Sequence, residues 1–147
     1  MPRLTQILED HHSRCDDSFA AAEAAVQGKR WQEATAHYQA FHAGMESHFS
    51  AEETLLFPTF ESATGESGGP TQVMRGEHTQ MRALLAAMAE AIEARDADEY
   101  AGQAETLLIM MQQHNLKEEN ILYPMCDSAI PPADGQRLMN EIQQALR

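Results

Sequence analysis

Apolar positions along this chain recur at alternating steps of three and four residues, the signature of one face of an α-helix. The first stripe is Leu8, His12, Cys15, Phe19, Ala22 and Val26, with Gly28 placed to end it. A second runs Tyr38, Phe41, Met45, His48, Glu52 and Leu55. A loop from Thr64 to Pro70 follows, carrying three glycines, and Pro70 suits the first turn of the next helix. The third stripe is Met74, His78, Met81, Leu85, Met88 and Ile92. Asp96 and Asp98 mark a polar connection to the fourth: Leu107, Met110 or Met111, His114, Glu118 and Ile121. Pro131 and Pro132 break the chain, and Leu138, Ile142 and Leu146 predict a short terminal helix. Sustained apolar–polar alternation with β-branched enrichment, the strand signal, is nearly absent. The expected fold is all-α: an up-down-up-down four-helix bundle over about 4–129 with a C-terminal helix over about 133–146, one domain spanning 1–147.

Two segments read almost alike. His48-Phe-Ser-Ala-Glu52-Glu53-Thr-Leu55-Leu56-Phe57-Pro58 parallels His114-Asn-Leu-Lys-Glu118-Glu119-Asn-Ile121-Leu122-Tyr123-Pro124, at an offset of 114 − 48 = 66. The same offset carries His12 onto His78, Leu8 onto Met74, Cys15 onto Met81, Phe19 onto Leu85, Ala22 onto Met88 and Val26 onto Ile92. Every stripe position of the first helix thus falls on a stripe position of the third. Two helical hairpins related by a pseudo-two-fold axis account for this. The offset also separates His11 from His12, which point about 100° apart on a helix. His12 lies on the stripe and has a partner; His11 falls opposite Glu77, a flank position, and stays the fallback.

Acidic residues outnumber basic ones 23 to 10, a formal charge of −13, which argues against nucleic acid and anionic membranes as partners. No apolar run approaches the ~20 residues of a membrane span. The opening residues, Met1 to Gln6, show no apolar core of a secretory signal. The two cysteines, Cys15 and Cys126, do not make a disulfide framework, so a reducing cytoplasm is the expected compartment.

The chemistry lies in the titratable groups that interrupt the stripes. In His-x-x-x-Glu the two side chains sit one turn apart on one face. Two such motifs, with His12 and His78, direct four imidazoles and two carboxylates into an apolar interior. Buried carboxylates need cations, and no Lys or Arg occupies a stripe position. A pair of metal ions, bridged by Glu52 and Glu118 and capped by His12, His48, His78 and His114, uses all six groups. Imidazole with carboxylate suits iron, manganese or zinc, and the absence of Cys from the set argues against structural zinc. Carboxylate-bridged pairs in helical bundles favour iron. Six protein donors for two ions leave coordination positions open to small ligands.

These residues, together with Leu-Phe-Pro and Leu-Tyr-Pro after the two motifs, resemble the hemerythrin-like (HHE cation-binding) domain over roughly Leu4 to Ala129. The resemblance implies a four-helix bundle around a non-haem di-iron centre, with an oxo, hydroxo or water bridge. His12, His48, His78 and His114 would be iron ligands, and Glu52 and Glu118 bridging carboxylates. Its members carry O2, sense oxygen or iron, respond to NO, or help repair iron–sulfur clusters. The implied partners are O2, peroxide or NO, with a redox partner of unspecified identity, in a monomer or small homo-oligomer. O2-carrying hemerythrins have a fifth His one turn before the third-helix His; here that residue is Met74, matched by the repeat to Leu8 and read as core packing. The departure favours redox, sensing, peroxide or NO chemistry over simple carriage. The expected role is that of a metal- and oxygen-binding protein rather than a dedicated enzyme, with peroxide or NO turnover, or iron donation to damaged clusters, as the alternative.

The remaining residues have plainer readings. Glu53 and Glu119 stand one residue off the axis, solvated or hydrogen-bonded to a ligand His. His37 and His42 are surface or flank residues, Met81, Met88, Met110 and Met111 core, and Cys15 a small buried hydrophobe. Phe57, Tyr123 and Trp31 are expected to pack the bundle end.

Overall fold

The structure is a computed structural model that describes residues 3–66 and 68–147. The expectations placed on Met1, Pro2 and Ser67 lie outside the described residues. Seven α-helical elements follow one another, and no strand occurs among the described residues: α1 (Gln6–Gln27), α2 (Trp31–Ala51), α3 (Phe57–Thr64), α4 (Pro70–Glu93), α5 (Ala97–Lys117), α6 (Tyr123–Ala129) and α7 (Pro132–Ala145). Helix α1 packs along α2 and α4 along α5, and the two pairs meet through α1 against α5 and α2 against α4. The molecule is therefore an all-helical bundle, as the stripes require. Helix α7 lies outside these pairs and packs on α1, α2 and the turn after α2.

Local chemistry sets the ends. The amide and hydroxyl of Thr5 donate to Asp127 at 3.1 and 2.8 Å, tying the start of α1 to the end of α6. Asp96 caps α5 by accepting from the Glu99 amide at 3.1 Å. Gly28 follows α1 as expected, but the left-handed residue that turns the chain is Lys29 (φ 55°), echoed by Arg95 (φ 53°) at the same offset, 95 − 29 = 66. Both then close with paired bonds to the last turn, Lys29 to Val26 and Arg30 to Ala25, Arg95 to Ile92 and Asp96 to Ala91.

One difference from the stripes follows from two proline-directed turns. Between α2 and α3, Glu52–Leu56 winds as a π-turn, and Glu118–Leu122 does the same between α5 and α6. The Phe57 amide donates to the Glu52 carbonyl, and the Tyr123 amide to that of Glu118, five residues back rather than four. Pro58 and Pro124 come next; each lacks an N–H, and its ring clashes with the carbonyl of an ordinary preceding turn. Widening that turn relieves the clash and adds one residue to it. The inward face therefore slips by one. Leu56 and Leu122 are buried where Leu55 and Ile121 were expected, and Ile121 is 56% exposed.

The core divides at the polar layer. One apolar cluster holds Phe19, Tyr38, Phe41, Met81, Leu85, Met88, Leu107 and Met111, with Trp31 packed at its edge rather than at the other end with Phe57. The other holds Leu8, Leu56, Phe57, Phe60, Met74, Leu122, Cys126, Leu138 and Ile142, and α7 contributes to this one alone. Met74 belongs to this packing, as the repeat predicts. Along α1, α2, α4 and α5 the buried His and Glu residues lie between the two clusters.

Leu85 is wholly buried in the first cluster. Leu85→Ala is expected to cost about 2–5 kcal/mol in chemical unfolding while leaving metal uptake unchanged, because the cavity opens away from the polar layer. Loss of metal uptake by a folded L85A protein would contradict this division of the core.

Candidate metal centre

All six residues singled out by the stripes reach one buried layer. Glu52, His78 and Glu118 are fully buried, His114 is 2% exposed, His48 3% and His12 6%. Helix α1 supplies His12, α4 supplies His78, and α2 and α5 supply His48 and His114 in their last turns. Each π-turn opens on its carboxylate, so Glu52 and Glu118 stay one turn beyond their His while the widened backbone brings the next aromatic inward. Nε2 of His78 approaches Glu52 Oε1 at 3.0 Å, Nε2 of His12 approaches Glu118 Oε1 at 3.1 Å, and Nε2 of His114 approaches Glu118 Oε2 at 3.3 Å. His48 Nε2 stands 3.6 Å from Glu52 Oε2.

The donor atoms fall into two groups, each within 4.8 Å of one another: Glu52, His78, His114 and Glu118, and His12, His48 and Glu118. Among the described residues, Glu52 Oε1, His78 Nε2, His114 Nε2 and Glu118 Oε2 are buried with no hydrogen-bond partner. Their close approaches are thus contacts without hydrogen-bond alignment. Orphaned donors of this kind are costly in an apolar interior. A cation among them would satisfy all four, and the nitrogen and oxygen set suits iron, manganese or zinc.

Outer partners fix how the imidazoles face inward. Nδ1 of His12 donates to Glu119, Nδ1 of His78 to Glu53 and Nδ1 of His114 to Glu77, each at 2.7 Å. With the proton on Nδ1, Nε2 presents a lone pair to the interior, the tautomer a metal ligand needs. Arg82 grips Glu53 through two nitrogens at 2.9 and 3.1 Å, and Lys117 binds Glu77. Ring stacking on Phe49, 4.2 Å between centroids, further holds His78. The fourth imidazole, His48, meets Nδ1 of His11 instead, at 2.9 Å.

Tyr123 packs with Phe57 in the second apolar cluster, as expected, and its hydroxyl has a polar role besides. Its hydroxyl donates to Glu52 Oε2 at 2.6 Å and lies 3.1 Å from Glu118 Oε1, 3.3 Å from His48 Nε2 and 3.4 Å from His12 Nε2. Phe57, the residue that the repeat pairs with it, has no hydroxyl to do the same. The sequence signal was present in that mismatch, a polar aromatic at one of two matched apolar positions. Glu77 was read as a flank, yet it is the outer partner of His114. His37 and His42 are exposed, and the buried thiols of Cys15 and Cys126 are pushed up by burial, that of Cys15 to about 12.

Without a metal, the layer distributes its charge among these groups. Burial opposes charge on His114, but the carboxylates of Glu118, Glu52 and Glu77 overcome it and raise its pKa to about 9. His12 is raised as well: burial works against it, and Glu118, Glu52 and Glu119 outweigh burial. Burial would raise Glu52, yet His48, Glu118 and His78 hold it well below the ordinary carboxylate range. Burial and the two carboxylates push the Tyr123 phenol well above 10, so it remains a donor.

A family model, that of the hemerythrin HHE cation-binding domain, matches residues 3–126 of this chain. No curated protein matches it. The matched span takes in the whole buried layer and stops before α7.

Two outcomes follow. His114 binds its proton more tightly folded than unfolded, so its contribution to stability is full below about 6.5 and is lost as pH rises through about 9. Thermal unfolding in the presence of chelator is expected to show a lower melting temperature above that window than below it; a flat profile would mean that His114 is neutral in the folded chain. Tyr123→Phe leaves Glu52 short of a donor, and should destabilise the chelated protein by about 1–3 kcal/mol. The metal-loaded protein should show a smaller loss, since a bound cation replaces that donor.

Proposed function

This chain belongs to the hemerythrin HHE cation-binding domain family, and from that membership we propose that it is a non-haem di-iron protein that takes O2, peroxide or NO at an open iron position. The ligands would be His12, His48, His78 and His114, with Glu52 and Glu118 shared between the ions. The carrying observation is the set of four orphaned donor atoms in a fully buried layer. We read the chain as one domain in which α1, α2, α4 and α5 run up-down-up-down about the pseudo-two-fold axis.

Iron in such a site supplies electron exchange with small oxygen or nitrogen ligands. The chain's own contribution is to hold and shield. Glu119, Glu53 and Glu77 keep three imidazoles in the ligating tautomer. Arg82 and Lys117 hold two of those carboxylates at the rim. The two apolar clusters keep bulk water away from the layer, which strengthens every electrostatic contact within it. The Tyr123 hydroxyl, turned toward Glu52 and Glu118, is a proton donor inside the site.

A second reading, turnover of peroxide or NO or donation of iron to damaged clusters, draws on Met74. The thioether sits in the apolar cluster, 3% exposed, and makes no polar contact in place of a fifth imidazole.

The test is to load the protein with ferrous iron without oxygen, count the metal, and then admit O2. Two ions per chain are expected, each raising stability by about 3–4 kcal/mol at free iron 100–1,000 times its Kd. A new absorption that disappears when O2 is withdrawn favours binding; rapid irreversible oxidation favours turnover. Unchanged unfolding on chelation, with less than one ion per chain, would overturn both readings.

A further inference from the structure

The pseudo-two-fold axis relates the outer partners as well as the donors, and it fails at one place. The contact of His12 with Glu119 maps, by 12 + 66 = 78 and 119 − 66 = 53, onto that of His78 with Glu53. The contact of His114 with Glu77 maps, by 114 − 66 = 48 and 77 − 66 = 11, onto that of His48 with His11. Three imidazoles therefore donate to a carboxylate and the fourth to an imidazole. For His48 to face inward as a ligand its proton must sit on Nδ1, and Nδ1 of His11 must accept it. His11 is built into the packing: it is 5% exposed, its ring stacks on that of His48 at 5.1 Å, and Cys15 Sγ lies 3.7 Å from the same nitrogen. Gly44 of α2 lies beside the pair, its Cβ position 3.4 Å from Cys15 Sγ and 4.0 Å from His11 Cε1, ordinary contact distances.

An anionic acceptor draws the Nδ1 proton and makes Nε2 a stronger donor to a metal; a neutral acceptor does so less. The donor groups are uneven in the same sense. The half with His78 and His114 brings four groups together, and both of its imidazoles are backed by carboxylates. The half with His12 and His48 brings three, and the Tyr123 hydroxyl stands against both of its Nε2 atoms.

We propose that His11 is a positioning residue that makes the two halves unequal, so that the half served by His12 and His48 holds its ion less tightly and loses it first. The proposal rests on the two-ion reading above. Exchanging an outer partner shifts metal affinity by about 10- to 100-fold, and a gap of that order is expected between the two steps of uptake.

The experiment titrates the full metal-free chain with cobalt(II), following calorimetry and the visible spectrum together. Two resolved steps are expected. His11→Glu supplies the missing carboxylate and should tighten the second step about 10-fold, a gain that a merely structural role would not give. Glu77→Gln, at a half-buried rim position, should loosen the first step and leave the second in place; it serves equally if H11E does not fold. Two ions taken up with equal affinity, or a second step unmoved in folded H11E, or a second step loosened in E77Q, would overturn the proposal alone. Uptake of a single ion would overturn the two-ion reading and this one with it.

Discussion

Two carboxylates without solvent and without a lysine or arginine against them constrain everything else in this molecule. Glu52 and Glu118 are fully buried, and the Arg82 guanidinium and Lys117 ammonium bind the outer carboxylates Glu53 and Glu77. A net interior charge in a medium of low polarity is far too costly to stand alone. In the metal-free chain, protonated imidazoles offset it, which is why His114 and His12 are both raised. A cation removes the need for those protons and satisfies the orphaned atoms in one step. Metal binding, proton release and folding stability are therefore linked through the same few groups.

The rest of the fold serves to hold that layer between two apolar ends. Each long helix, followed through its π-turn where it has one, reads apolar cluster, polar layer, apolar cluster, so no single helix can slide without carrying a charge into hydrocarbon. Helix α7 adds Leu138 and Ile142 to the cluster on the π-turn side, beyond the span matched by the family model. The clamps on the rim differ in strength as well as kind. Arg82 binds both Glu46 and Glu53 and lies over the Phe49 ring at 5.2 Å, so the Glu53–His78 pair is braced from three sides. Glu119 is 37% exposed and meets water instead.

The positions of the six inner groups were legible because a helix has a fixed period and the chain states it twice. His12 could be told from His11 by the offset alone. The burial of His11 was not legible, because it depends on how α1 packs on α2, where its ring meets His48. The choice of Leu55 and Ile121 as inward residues failed for a local reason that periodicity does not encode: the turns ahead of Pro58 and Pro124 take one extra residue. Tyr123 does pack at the bundle end with Phe57, but the reach of its hydroxyl to Glu52 was not legible, since an ordinary turn would not swing it there. Glu77, Glu53 and Glu119 show the reverse case. Their spacing put them beside the stripe, and only tertiary packing decides which imidazole each meets: Glu119 and Glu53 one from the opposite pair, Glu77 one from its neighbouring helix.

That crossing pattern explains why the site is built from a repeat. Glu119 and Glu53 each belong to one hairpin and orient an imidazole of the other, His12 and His78, whereas Glu77 orients His114 within the second hairpin, so each hairpin needs the other to set one of its two rings. The inner set follows the same rule, with His12 of the first hairpin against Glu118 of the second and His78 of the second against Glu52 of the first. Separation of the hairpins would leave His12 and His78 without their outer acceptors and would take from Glu118 and Glu52 the imidazoles that reach them from the opposite pair. Association and site formation are then a single cooperative event. A departure from symmetry at one ring, as at His48 and His11, can alter one half of the site without dismantling the other, because each outer contact is a separate bond between a different pair of helices.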